Sequence, residues 1–252
     1  MNWHAALKVW YRNFLVWKRF YWTSCVEAVG EPILYLVAIG YGLGAVIGSM
    51  DGRPYIEFLV PALIANAIMF GTSLETTYGS YSRLKIERTF QSIVVTPISL
   101  EEVVAGEVIW GATRGLISGS ILFVIVWTLG LVHSWMAIAV IPVFVLEAVF
   151  FGSLGMLMTA YARDQGVFVI YLTLVLETMF LFSGTFFPLS LLPEWAAYLA
   201  WGLPLTSFVA AARGLFDGAP SISAVYGLTA ISAATFLLFW WSTLKIQRRL
   251  IA

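Results

Sequence analysis

Cysteine and histidine are almost missing from this chain. The single Cys25 has no partner for an internal disulfide, and His4 and His133 stand far apart in no metal-binding spacing, so no metal site is expected. Charge is scarce as well. Asp, Glu, Lys and Arg make up 11% of 252 residues, and the 14 basic residues balance the 14 acidic ones. That balance speaks against nucleic acid or a broadly acidic partner. Neither glycine run is followed by the Lys-Ser or Lys-Thr of a phosphate loop, so no ATP site is expected. No HExxH, no Ser and Lys pair and no paired Asp motif falls in the apolar stretches, so no catalytic residue and no cofactor are expected in this chain. Lys8, Arg12, Lys18 and Arg19 interrupt any early apolar core, which predicts that there is no secretory signal peptide.

What the chain does have is apolar length. It is 60% hydrophobic with a mean hydropathy of +0.88, the balance of a membrane protein. About 20 apolar residues cross the hydrocarbon. On that scale the sequence predicts an all-α membrane protein with six transmembrane helices, near 31–50, 57–80, 103–130, 136–161, 167–187 and 222–244. An even number puts both termini on one side. Lys8, Arg12, Lys18, Arg19, Arg83, Lys85, Arg88, Arg163, Lys245, Arg248 and Arg249 would share that side, against Arg53 and Arg213 on the other and Arg114 within a span. Positive-inside bias makes the shared side cytoplasmic.

Three stretches do not span. Trp3, Leu7, Trp10, Phe14, Trp17 and Tyr21 recur at steps of four and three opposite Lys8, Arg12 and Arg19. This predicts an N-terminal interfacial helix within residues 1–30, or one whose aromatic stripe packs on neighbouring helices. Arg83 to Leu100 is a charged interruption. Read as a helix, it gathers Ile86, Phe90, Ile93 and Val94 on one face, turns Lys85, Arg88, Gln91 and Ser92 elsewhere, and stops at Pro97. It reads either as an amphipathic surface helix or as a solvated connector. From Phe182 to Phe216, Gly184, Pro188, Pro193 and Pro204 interrupt an aromatic-rich run. A re-entrant or surface helical cap is expected there on the non-cytoplasmic side, over 188–216 and broken at Pro188 and Pro204. Its Trp195, Tyr198 and Trp201 suit an interfacial belt or, alternatively, a sugar-stacking platform.

Within the spans, Gly40, Gly42, Gly44 and Gly48, and Gly111, Gly115 and Gly119, are small residues spaced for close helix approach. Glu75, Glu107, Arg114, Glu147 and Glu177 are ionisable groups where lipid is costly, about 2.5 to 3.5 kcal/mol each at a helix centre. Glu107 and Arg114 share a helix face but lie about 10 Å apart along the axis, so Arg114 is expected to meet a carboxylate on another helix. Buried pairing that fixes packing is one reading of these groups; a proton relay or substrate contact is the other.

The chain resembles the membrane subunits of ABC-2-type exporters, and in particular the nodulation-protein-J group of lipo-oligosaccharide exporters. The resemblance covers nearly the whole chain. It is carried by NFLVWKR (Asn13 to Arg19), EPILYLVAIGYGLG (Glu31 to Gly44), VVTPISL (Val94 to Leu100), GEVIWGATR (Gly106 to Arg114), FSGTFFPLSLLPEW (Phe182 to Trp195) and LPLTSFVAAARGLF (Leu203 to Phe216). It implies a single membrane domain over 1–252, in a bacterial inner membrane, paired with a second permease copy as a homodimer or close heterodimer. Two copies of a separate ATPase subunit would bind ATP and Mg. The segment 83–97 would be the cytoplasmic coupling helix, with Arg83, Lys85, Glu87, Arg88, Phe90 and Ile93 as docking residues. The implied cargo is a lipo-oligosaccharide, glycolipid or polysaccharide, with a drug or small lipophile as the alternative and a non-transporting membrane assembly as a third reading. The first and fifth spans would wall the pathway, lined by Tyr35, Tyr41, Glu177 and Phe180.

Overall fold

Lipid offers a backbone no hydrogen bonds, so apolar stretches of this length fold as helices that satisfy themselves. The computed structural model describes residues 2–219 and 222–251, and these are almost wholly helical. In chain order the helices are α1 (Trp3–Trp17), α2 (Gly30–Ile47), α3 (Tyr55–Ile86), α4 (Thr89–Val94), α5 (Leu100–Thr128), α6 (Trp135–Tyr161), α7 (Gly166–Phe182), α8 (Glu194–Trp201), α9 (Pro204–Phe216) and α10 (Ala224–Leu250).

Five of these, α2, α3, α5, α6 and α10, are long and apolar enough to cross a membrane. The expected fifth span, 167–187, is shorter than its apolar run. α7 ends at Phe182, where Ser183 leaves helical geometry and Gly184 takes a φ of 77°. Its 17 residues reach about 25 Å, against a hydrocarbon thickness of about 30 Å. The cap region is two helices, α8 and α9, meeting at 88°. The break falls between Trp201 and Pro204, and Pro188 only opens a single 3-10 turn. α9 is no surface element, since Leu205, Phe208, Val209 and Ala212 are all at most 1% exposed.

α1 lies against α5 through a strip of small residues and through part of its aromatic stripe: Trp10 Nε1 donates to Thr113 Oγ1 at 3.0 Å, and the Trp17 ring centre stands 6.1 Å from that of Trp110. Its buried residues are Ala5, Ala6, Val9 and Asn13, while Trp3 and Leu7 are exposed. The reason is spacing: Gly106 lets α1 come so close that a Cβ there would stand 2.7 Å from the Ala6 carbonyl oxygen. The chain turns over 18–20 and is helical again from Tyr21, running without interruption into α2. The separate N-terminal element therefore ends at Trp17 and not near residue 30. Pro32 lies inside this helix, and a wide turn over Leu36–Leu43 follows.

Gly111, Gly115 and Gly119 form the seam between α5 and α3, facing Thr76, Thr72 and Ile68. A Cβ on Gly115 would come 2.6 Å from the Ile68 carbonyl oxygen, so the glycine stripe sets backbone distance. Between α2 and α3, Asp51 and Gly52 both have positive φ in a two-residue turn joining Ser49–Met50 to Arg53–Pro54.

The charged stretch is not one helix. α3 continues through Ile86, carrying Arg83 and Lys85 with it, and Arg88 then adopts left-handed geometry with a φ of 54°. Only Thr89–Val94 is helical beyond that elbow. The left-handed residue re-aims the chain, so a face counted straight across it dissolves: Ile86 is 64% exposed, Phe90 is 0% exposed and Val94 is 44% exposed. Phe90 packs into a satellite core with Val9, Leu84, Val104, Val108, Met156 and Ile246. Ser99 and Glu102 then start α5 with a reciprocal capping box.

Candidate functional site

A charge network occupies the Arg83 end of the bundle. Glu107, on α5, is wholly buried. Its Oε1 accepts from Asn13 Nδ2 at 2.9 Å, and its Oε2 accepts from Ser80 Oγ at 2.7 Å and Arg83 Nε at 2.8 Å. Arg12 Nη2 stands 3.5 Å from Oε1. Arg83 also donates through Nη2 to Glu75 Oε1 at 2.8 Å. Burying a charge costs several kcal/mol unless it is paired and hydrogen-bonded, and here α1, α3 and α5 each contribute to the pairing. Burial lowers the Arg12 pKa against the pull of Glu107, yet a guanidinium starts so high that it stays charged.

Arg114 does meet a carboxylate on another helix: its Nε lies 3.4 Å from Glu75 Oε2. The two are near enough to attract but are not aligned as a hydrogen bond, which leaves Arg114 Nε and Nη1 without an acceptor among the described residues. Its guanidinium lies 5.7 Å from the Trp17 ring centre. A cavity of about 330 Å³ beside the network is bounded by Arg12, Trp17, Glu75, Arg83 and Arg114, and reaches Glu87 and Thr89 at the elbow.

The six docking residues named from the resemblance divide. Arg83 is committed to Glu75 and Glu107, and Phe90 is closed inside the bundle, so neither is free for a partner in this arrangement. Ile93 is partly buried against the Phe90 cluster. Lys85, Glu87 and Arg88 are exposed. Lys85 donates to the Arg163 carbonyl and lies 5.5 Å from the Tyr81 ring centre, while Glu87 accepts from Ser82 at 3.0 Å.

Of the pathway residues, Tyr35 and Phe180 come together, with ring centres 5.3 Å apart, and Phe186 and Phe70 extend the cluster at 4.9 and 6.5 Å from Phe180. Glu177 is half-buried on α7. Tyr41 is 53% exposed on α2 and is not among these aromatic pairs. Glu147, on α6, is 0% exposed, and neither carboxyl oxygen has a partner among the described residues.

Sequence reasoning missed two arginine roles. Arg83 looked like a surface charge. The readable signal was Glu75, Gly79 and Arg83 at i, i+4 and i+8, where Gly79 leaves the gap the two side chains close; a Cβ there would stand 2.6 Å from Glu75 Oε1 and 3.2 Å from Arg83 Nη2. Arg213, on α9, pins the opposite end. It donates to the Gly184 carbonyl at 2.7 Å and the Phe58 carbonyl at 3.2 Å, and its guanidinium lies 3.7 Å from the Phe58 ring centre. It thereby ties the bend after α7 to α3.

The ABC-2 type transporter family model matches residues 5–216. Nodulation protein J of Rhizobium meliloti (strain 1021) is 32% identical over 250 residues, covering 99% of this chain and 94% of that protein. Nodulation protein J of Sinorhizobium fredii (strain NBRC 101917 / NGR234) is 32% identical over 252 residues, covering 100% and 95%. The inner membrane transport permease YadH of Escherichia coli (strain K12) is 27% identical over 257 residues, covering 99% and 98%. Because the match runs from α1 to the last residue of α9 and the relatives are covered nearly end to end, this chain belongs to the ABC-2 type transporter family of membrane permeases.

Proposed function

We propose that the chain is the permease half of an inner-membrane exporter for a lipo-oligosaccharide, glycolipid or polysaccharide, working as a homodimer on two copies of a separate ATPase. In this reading α7 is the fifth of six spans, both termini are cytoplasmic, and α8 with α9 caps the outer end. The observation that carries it is the elbow at Arg88. Lys85, Glu87 and Arg88 are exposed at the end of the 32-residue α3, while Phe90 roots the next turn in the bundle.

ATP binding on the partner favours its closed pair, and a segment docked there moves with it. Arg83 lies two residues before Lys85 on the same helix and is tied to Glu107 of α5, which is tied to Asn13 of α1. Displacement at the elbow therefore reaches three helices together. A glycolipid suits such a device, because a helix-lined groove open to lipid passes a polar head while its tail stays in the bilayer. The cargo reading is further supported by end-to-end likeness to two nodulation J proteins.

The test is purification with a co-expressed partner ATPase, in wild type and in a Lys85→Glu/Arg88→Glu variant. The wild type is expected to hold the ATPase and its loss to leave glycolipid inside cells. The variant is expected to insert and dimerise but lose ATPase association and export. Unchanged association and export in the variant would remove the docking assignment. Glycolipid export that persists without the gene, together with accumulation of a drug, would favour the small-lipophile alternative.

A further inference from the structure

A cavity of about 470 Å³ opens between α2, α3 and α5, on the other side of the Glu75–Arg114 pair from the smaller one. Its volume falls in the range of about 300 to 1,000 Å³ usual for small-molecule sites. Glu31, Asn66, Glu75 and Arg114 are its polar wall, and Phe70 and Tyr78 its aromatic one.

Buried polar atoms in folded proteins nearly always have a hydrogen-bond partner. Here Asn66 Oδ1 and Arg114 Nε and Nη1 are buried and have none among the described residues, and Asn66 is only 6% exposed. These atoms lie behind the cavity surface, beyond the reach of a water-sized group, and the wall around the opening brings the guanidinium of Arg114 together with the carboxylates of Glu31 and Glu75. A phosphate would satisfy Arg114 but face the carboxylates of Glu31 and Glu75. A cation would satisfy the carboxylates and face Arg114. A ring of hydroxyls suits both, because each hydroxyl donates once and accepts twice. The apolar C–H face of such a ring has Phe70 and Tyr78 to lie against.

We infer that this cavity binds a sugar ring of a lipid-borne headgroup within a single protomer. The inference rests on the glycolipid reading of the cargo and gives it a site. Phe70 joins the cavity to the Tyr35 and Phe180 cluster, so a head seated there abuts the proposed pathway.

The test uses the full chain with its ATPase in lipid nanodiscs. The probes are a short-chain diacyl glucoside and, at equal chain length, phosphatidylglycerol and phosphatidylethanolamine. The glucoside is expected to bind most tightly. Asn66→Leu, which removes the amide, is expected to weaken it roughly tenfold, and Phe70→Leu by a smaller factor, with phosphatidylglycerol affinity unchanged. Melting temperature and ATPase association show that each variant is folded, and if Asn66→Leu fails that check Phe70→Leu alone carries the test. Glucoside affinity unchanged in the folded variants, or phosphatidylglycerol or phosphatidylethanolamine binding as tightly as the glucoside, would overturn the assignment. Glycolipid export with unaltered glucoside affinity in the variants would sink the cavity and leave the exporter reading standing. Variant-sensitive glucoside binding without any loss of glycolipid export on gene deletion would support the site and sink the exporter reading.

Discussion

Glu107 and Glu147 are both 0% exposed and both lie on long apolar helices, yet the fold treats them oppositely. Glu107 is held by Asn13, Ser80 and Arg83, with Arg12 nearby. Glu147 has no partner among the described residues. An insertion scale charges the two alike. The difference teaches that an acid's cost in a membrane is settled by which helices pass beside it. Glu107 sits where α1, α3 and α5 converge and has become the joint between them. The Glu147 carboxyl is enclosed by its own bundle without being used to fasten it.

The largest effect should come from Glu107→Leu. It removes one side of a buried pair and leaves Asn13, Ser80 and part of Arg83 unanswered, an expected loss of about 3 to 5 kcal/mol in unfolding experiments in mixed micelles. A loss under about 1 kcal/mol would mean that the network is not a fastening. Ser80→Ala sharpens the contrast from the partner's side. It deletes one donor of several, so about 1 kcal/mol is expected, and a loss as large as that of Glu107→Leu would assign the joint to the hydroxyl. Glu147→Leu should do least, staying within about 1 kcal/mol of wild type or gaining stability, because an unsatisfied buried polar group is replaced by an apolar one. A loss near that of Glu107→Leu would break the comparison and assign the Glu147 carboxyl a partner in the assembled exporter.

Much of the architecture was legible. Apolar length located α2, α3, α5, α6 and α10, and helical rise alone said that Arg114 would look past Glu107 for its carboxylate, which proved to be Glu75. The glycine stripe of α5 also read correctly as a packing seam. Less legible was everything set by direction. Periodicity ran one helix from Arg83 to its stop at Pro97, because nothing in an arginine announces the left-handed geometry that Arg88 adopts. The same count made Phe90 an outward anchor, whereas the elbow turns it into the bundle. Likewise the α1 stripe was real, and Trp10 and Trp17 reach α5, but Gly106 decided that Ala6 and Val9 would make the closest approach.

The sequence by itself determined that this is a helical membrane protein, where its apolar stretches begin and end, and which family it joins, because those follow from composition and local order. Only the tertiary structure decided which charges are fastenings, which are exposed and which are left unpartnered. Pairing depends on the position of side chains on different helices, and residues 24 or more apart, such as Arg83 and Glu107, carry no local pattern that reports it.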